Sequence, residues 1–100
     1  MRILVIEDDR TTANFVSKGF PQQGHDVEQI ANGREAFLQA TAGPYDLLIV
    51  DRMLPGLNGL ALVKALRAAQ VLTPVIFLTA LGGADHWIDG LNGGEPRSDV

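Results

Sequence analysis

Acidic side chains and one hydroxyl stand where short apolar runs stop. Ile3-Leu4-Val5-Ile6 gives way to Glu7-Asp8-Asp9, Leu47-Leu48-Ile49-Val50 to Asp51, and Val75-Ile76-Phe77-Leu78 to Thr79. If the first two runs are neighbouring strands of one sheet, their ends place at least three carboxylates in one pocket. Like charges that close raise each other's pKa unless something compensates. A hard divalent cation is the natural compensation. Mg2+ takes oxygen ligands, accepts one or two direct carboxylates and keeps waters that a phosphate can displace. On such an edge Asp51 is a candidate nucleophile towards phosphorus, as in aspartyl-phosphate chemistry, and Thr79 offers a hydroxyl to one phosphoryl oxygen. Each piece has a plainer account: acids after a strand can cap the next helix, Asp51 can cap the turn after it, and a strand-ending threonine can be structural. All three at matching strand ends favour phosphoryl transfer onto Asp51.

The elements that must position these residues follow from the pattern of apolar residues. Residues 3–6, 47–50 and 75–78 are continuous apolar runs bounded by polar or turn residues, the signature of strands buried on both faces. Residues 25–30 alternate polar and apolar, which reads as an edge strand whose charges discourage further pairing. Between the strands lie helical patterns. Thr11 or Thr12 can cap a helix that places Ala13, Val16 and Phe20 on one face, interrupted by Gly19 and Pro21 and stopped by Gly24 at the latest. Asn32 with Glu35 resembles a capping box for a helix through Ala36, Phe37 and Ala40, ended by Gly43-Pro44. A third helix starts at Asn58 or Gly59, carries Leu62, Val63, Leu66 and Ala69 on one face, and stops at Thr73-Pro74. After Gly82-Gly83 a shorter amphipathic helix carries Ala84, Trp87 or Ile88, and Leu91. Four β-α units with right-handed crossovers make a parallel sheet with helices on both faces. Ligands bind such sheets at the strands' C-terminal edge, where Asp51 falls. The last stretch, residues 95–100, is expected to be a polar tail.

Composition narrows the function. With 100 residues the chain makes one domain with a modest core. A formal charge of −4, with its basic residues scattered, argues against direct nucleic-acid binding. Without cysteine there is neither a disulfide framework nor a thiolate metal site. The N-terminal apolar run is too short for a signal peptide or a membrane span, so a cytoplasmic location is expected.

Ile3-Leu4-Val5-Ile6-Glu7-Asp8-Asp9, Ile49-Val50-Asp51-Arg52-Met53-Leu54-Pro55-Gly56-Leu57-Asn58-Gly59 and Val75-Ile76-Phe77-Leu78-Thr79-Ala80 together resemble the receiver domain of bacterial two-component response regulators. The likeness is to the type that precedes winged-helix DNA-binding domains, and it extends over residues 1–94. It implies a flavodoxin-like, doubly wound parallel sheet of strand order 2-1-3-4-5 and a sensor histidine kinase as partner. Carried over by position, Asp51 is the phosphoacceptor, Asp8 a direct Mg2+ ligand and Glu7 an acid acting through a metal-bound water. The Met53 backbone carbonyl is a further ligand, Thr79 the switch hydroxyl, and Ala80 the small neighbour that leaves room for the phosphoryl group. Asp9 has no fixed role in the pattern.

The sequence departs from the family at its end. The family's fifth-strand lysine would fall just beyond Val100, and the lysines present, Lys18 and Lys64, precede the Thr79 strand. A charge-assisted hydrogen bond of that kind contributes ~1.5 to 3 kcal/mol. The expectation is therefore a sheet of order 2-1-3-4 with the fifth strand and last helix missing or degenerate, and phosphotransfer impaired by truncation. An uncovered edge at Val75–Leu78 would invite pairing with a second copy, as a homodimer or swapped oligomer. The rival reading is a pseudo-receiver serving only as a protein interaction module. An aspartate-nucleophile phosphatase fits poorly, because Met53 stands where its general acid would be. A flavin site fits poorly too, because the first strand ends in acids rather than a phosphate cradle.

Overall fold

The computed structural model describes residues 1–21 and 23–78. In chain order the elements are β1 (Arg2–Ile6), α1 (Arg10–Lys18), β2 (Asp26–Ile30), α2 (Gly33–Ala42), β3 (Leu47–Asp51), α3 (Gly59–Ala68) and β4 (Val75–Leu78). The strands form one parallel sheet in the order β2-β1-β3-β4. The parallel sheet is the one expected from the alternation of patterns, and its order over the described strands is the doubly wound, flavodoxin-like one that the resemblance implies. The strand-ending Thr79-Ala80, the fourth helical pattern and the polar tail lie outside the described residues.

Side-chain alternation explains why the central strands are apolar at every position. Leu4, Ile6, Leu48, Val50, Val75 and Phe77 pack with Ala36 and Ala40 of α2 and Leu62, Val63 and Leu66 of α3. Ile3, Val5, Leu47, Ile49 and Leu78 face the other way, against Ala13 of α1. With helices on both faces every position of β1 after Arg2, and of β3, is buried. β2, at one edge, is only half-buried, in keeping with its Asp26, Glu28 and Gln29.

Helix ends are set by side chains that accept otherwise unpaired amides. Asn32 Oδ1 accepts the Arg34 and Glu35 amides, and Asn58 Oδ1 accepts the Ala61 amide at 2.9 Å. The cap of α1 is Asp9, which accepts the Thr12 amide at 3.0 Å, so neither Thr11 nor Thr12 is the cap. A carboxylate also complements the helix's positive end, which favours Asp9 over the hydroxyls. α1 stops at Lys18 with Gly19 as its C-cap, a full turn before the latest stop allowed by Gly24. α3 ends at Ala68, ahead of Pro74. Gln70, at φ 67°, turns the chain there, and Ala69 is an exposed cap residue rather than part of the buried face.

A side-chain network ties β2 to the α2–β3 connection. Glu28 Oε1 accepts the Tyr45 hydroxyl at 2.7 Å and Gln39 Nε2 at 2.8 Å, while Oε2 accepts Arg2 Nη2 at 2.9 Å. The Arg2 guanidinium also lies 4.8 Å from the centroid of the Tyr45 ring. No helix among the described residues is long and apolar enough to cross a membrane.

Candidate functional site

β1 and β3 run parallel and side by side, with Ile6 level with Val50. One residue further on, Glu7 falls level with Asp51, at the spacing of roughly 4.8 Å that separates neighbouring strands. Glu7, Asp8 and Asp51 each offer a carboxylate oxygen, and these oxygens all lie within 4.8 Å of one another. Sheet register therefore brings together acids that are far apart in sequence. Asp8 is exposed, whereas Glu7 and Asp51 keep only 7% and 6% of their surface in solvent.

Burying two acids beside each other is costly without a compensating charge. Burial pushes the Glu7 carboxyl up to about 7, opposed by the Asp9 amide that donates to Glu7 Oε2 at 2.9 Å and reinforced by the charge of Asp51. Asp9 thus serves both the acid before it and the helix after it. Thr12 holds the Asp9 carboxylate below its ordinary value by donating its hydroxyl and its amide.

Past Asp51 the chain makes a loop, residues 52–58, that folds back beside the strand end. The Met53 amide donates to Asp51 Oδ1 at 3.2 Å, while the Met53 side chain is exposed. Gly56 takes φ 85°, a left-handed conformation suited to glycine. The Gly59 amide then donates to the Arg52 carbonyl at 3.0 Å, closing the loop as α3 begins. An all-oxygen, half-sheltered cluster of three acids suits a hard divalent cation of the Mg2+ kind better than a thiophilic metal.

Of the residues singled out by sequence, Glu7, Asp8, Asp51 and the Met53 backbone share one edge of the sheet. Thr79 and Ala80 lie outside the described residues. Asp9 takes the plainer role open to acids after a strand, capping the next helix, and its amide also donates to Glu7. Asn32 and Gly33 also touch the loop after Asp51, and only the Asn32 capping signal was visible in advance.

The comparisons with known proteins agree with this geometry. The response regulator receiver domain model matches residues 3–95. The transcriptional regulatory protein CusR of Escherichia coli (strain K12) is 40% identical over 91 residues, covering 91% of this chain. The chain spans only 40% of that relative's length. Among solved structures, the receiver domain of Francisella response regulator 1452 shares 36% identity with a TM-score of 0.74, over 84% of this chain and 69% of that one. The response regulator TrrA of Thermotoga maritima, solved in complex with Mg2+-BeF, shares 31% identity with a TM-score of 0.73, over 81% and 70%. The sheet order, the acidic edge and a family match along nearly the whole chain have one common account: the chain belongs to the response regulator receiver domains of two-component systems.

Proposed function

We propose that Asp51 accepts a phosphoryl group from a sensor histidine kinase at a site that also holds Mg2+. The observation that carries this reading is the convergence of Glu7, Asp8 and Asp51 oxygens at the C-terminal edge of the sheet. In the transfer one Asp51 oxygen forms a bond to phosphorus as the bond from phosphorus to the donor breaks, and the donor leaves with that electron pair. Mg2+, when bound, supplies positive charge to the phosphoryl oxygens and to the crowded carboxylates.

The chain's own residues do the rest. Asp8, exposed at the edge, would hold the cation directly, and Glu7, deeper in, would hold it through a water. The Met53 amide holds Asp51 Oδ1, and the Met53 carbonyl would be a further ligand to the cation. Thr79 donates its hydroxyl to the phosphoryl group, and Ala80 leaves room for it. Residues 1–94 form the receiver unit, supported by the family match over residues 3–95. The domain is a phosphoacceptor that at most assists its own phosphorylation and dephosphorylation. It acts in the cytoplasm, and any control of transcription passes through other parts of the protein.

The test is incubation with Mg2+ and acetyl phosphate, followed by intact mass measurement. The expected result is a gain of one phosphoryl group that is absent without Mg2+ and absent in Asp51→Asn. An unchanged mass, under conditions that label another receiver domain, overturns the reading.

A further inference from the structure

The turn at residues 30–33, leading into α2, touches both halves of the acidic site without giving it a carboxylate. On one side the Ile30 carbonyl accepts the Glu7 amide at 3.0 Å. On the other the Gly33 amide donates to the Pro55 carbonyl at 3.1 Å, inside the loop that follows Asp51. Gly33 is also pressed flat against that loop. A Cβ at Gly33 would lie 2.1 Å from the Leu57 carbonyl oxygen and 2.9 Å from the Leu57 carbonyl carbon. Those obstacles are backbone, so no rotamer change relieves them.

Asn32 makes a further contact. Its Oδ1 caps α2 through the Arg34 amide at 2.8 Å and the Glu35 amide at 3.2 Å. The same side chain lies against Gly56, where a Cβ would meet both Asn32 Oδ1 and Nδ2 at 3.0 Å. One short segment is thus fastened to the Glu7 strand end and to the loop carrying Met53.

We infer that Asn32 and Gly33 are positioning residues for the divalent cation, bracing residues 52–58 against the Glu7 end of the sheet. The inference rests on the metal-site reading above. Its physical basis is that Glu7, Asp8 and Asp51 repel one another when ionised, so the acids cannot hold their own spacing before a cation arrives. Backbone contacts from the α2 entry hold it instead. They set the distance between the Glu7 carboxylate and the loop that fixes Asp51 Oδ1 through the Met53 amide.

Isothermal titration of the chain with MgCl2, paired with urea unfolding, tests the brace. Gly33→Ala forces the Leu57 backbone away and is expected to weaken Mg2+ binding 10- to 100-fold, the usual effect of losing a residue that orients metal ligands. Asn32→Ser keeps a capping oxygen but gives up the reach to Gly56. It is expected to weaken Mg2+ binding severalfold with its urea midpoint near that of wild type, and to speed amide exchange at Met53. Gly24→Ala is the control: φ is +86° there, no atom lies within 4 Å of the added Cβ, and the position precedes β2 at the opposite end of the sheet. It is expected to lower the urea midpoint and leave Mg2+ affinity within twofold of wild type. If Gly33→Ala does not fold, Asn32→Ser decides. Wild-type affinity in the folded Gly33 and Asn32 variants overturns the brace alone, as does an equal loss in Gly24→Ala. A wild-type chain that takes up no Mg2+ overturns the metal-site reading and the brace with it.

Discussion

Gly59 lies directly against the backbone of Asp51: a Cβ on Gly59 would fall 2.4 Å from the Asp51 carbonyl oxygen and 2.8 Å from Arg52 Cα. The first residue of α3 and the last of β3 are therefore in contact through their main chains. Gly59→Ala must push the helix start away from the strand end. The expected cost is about 2 kcal/mol, in the range of overpacked sites, read as a lower urea midpoint. Phosphorylation of Asp51 by acetyl phosphate is expected to slow, because the helix start and the reacting carboxylate move together.

Glu7 gives the metal-free protein a pH dependence of definite sign. Burial, helped by Asp51, raises its carboxyl from 4.5 to about 7. The folded chain then keeps a proton that the unfolded chain has lost. This contribution to stability is complete below about pH 4.5 and is lost as pH rises towards 7, at a cost of up to about 3 kcal/mol. Asp9 and Glu28 work the other way: their folded values are lowered, so what they contribute disappears as pH falls through the acidic range. The urea midpoint without Mg2+ is expected to be higher near pH 5 than near pH 8. Glu7→Gln should flatten that slope, and Mg2+ at pH 8 should recover part of the loss.

Asp51→Asn removes one of two buried neighbouring charges. The expected outcome is loss of phosphorylation together with a higher urea midpoint at pH 8 without Mg2+. The Glu7 carboxyl should move down towards its ordinary value, since the Asp51 charge helps to raise it. Carbon-detected NMR titration of the Glu7 side chain reads that movement directly. A Glu7 titration unchanged by the substitution would contradict the electrostatic account of the pair.

Tyr45→Phe tests the network on β2. The hydroxyl of Tyr45 donates to Glu28 Oε1 at 2.7 Å and accepts from Gln39 Nε2 at 2.9 Å, both bonds partly buried. Losing it should cost about 1 kcal/mol in thermal or urea unfolding. Mg2+ affinity should stay as it was, because the network lies away from the strand ends that carry the acids.

Much of this architecture was legible because it is local. Continuous apolar runs announced β1, β3 and β4, and Asn32 and Asn58 announced two helix starts. The acidic edge was legible by a further step, since parallel neighbours end together and therefore align the residues that follow. What the sequence hid was mostly close approach. Gly33 and Gly59 look like ordinary glycines at helix starts, and nothing in their neighbours reports that Leu57 and Asp51 press on them from elsewhere in the chain. Asp9 was half-legible: the acids after β1 were open to a capping reading, but the pattern pointed to Thr11 or Thr12 as the cap of α1, and it is Asp9 that fills the place. The Arg2-Glu28-Tyr45-Gln39 network joins four separate segments and has no signature along the chain.

β1 occupies the middle of the sheet, between β2 and β3. As the chain leaves the ribosome, Ile3-Leu4-Val5-Ile6 is made before the other strands of the sheet, yet one of its two partners, Leu47–Asp51, comes only after β2 and α2. Until then one side of a fully apolar strand has no ladder to join. The segment that finally gives the sheet its centre is thus also the one that depends longest on protection from aggregation during synthesis.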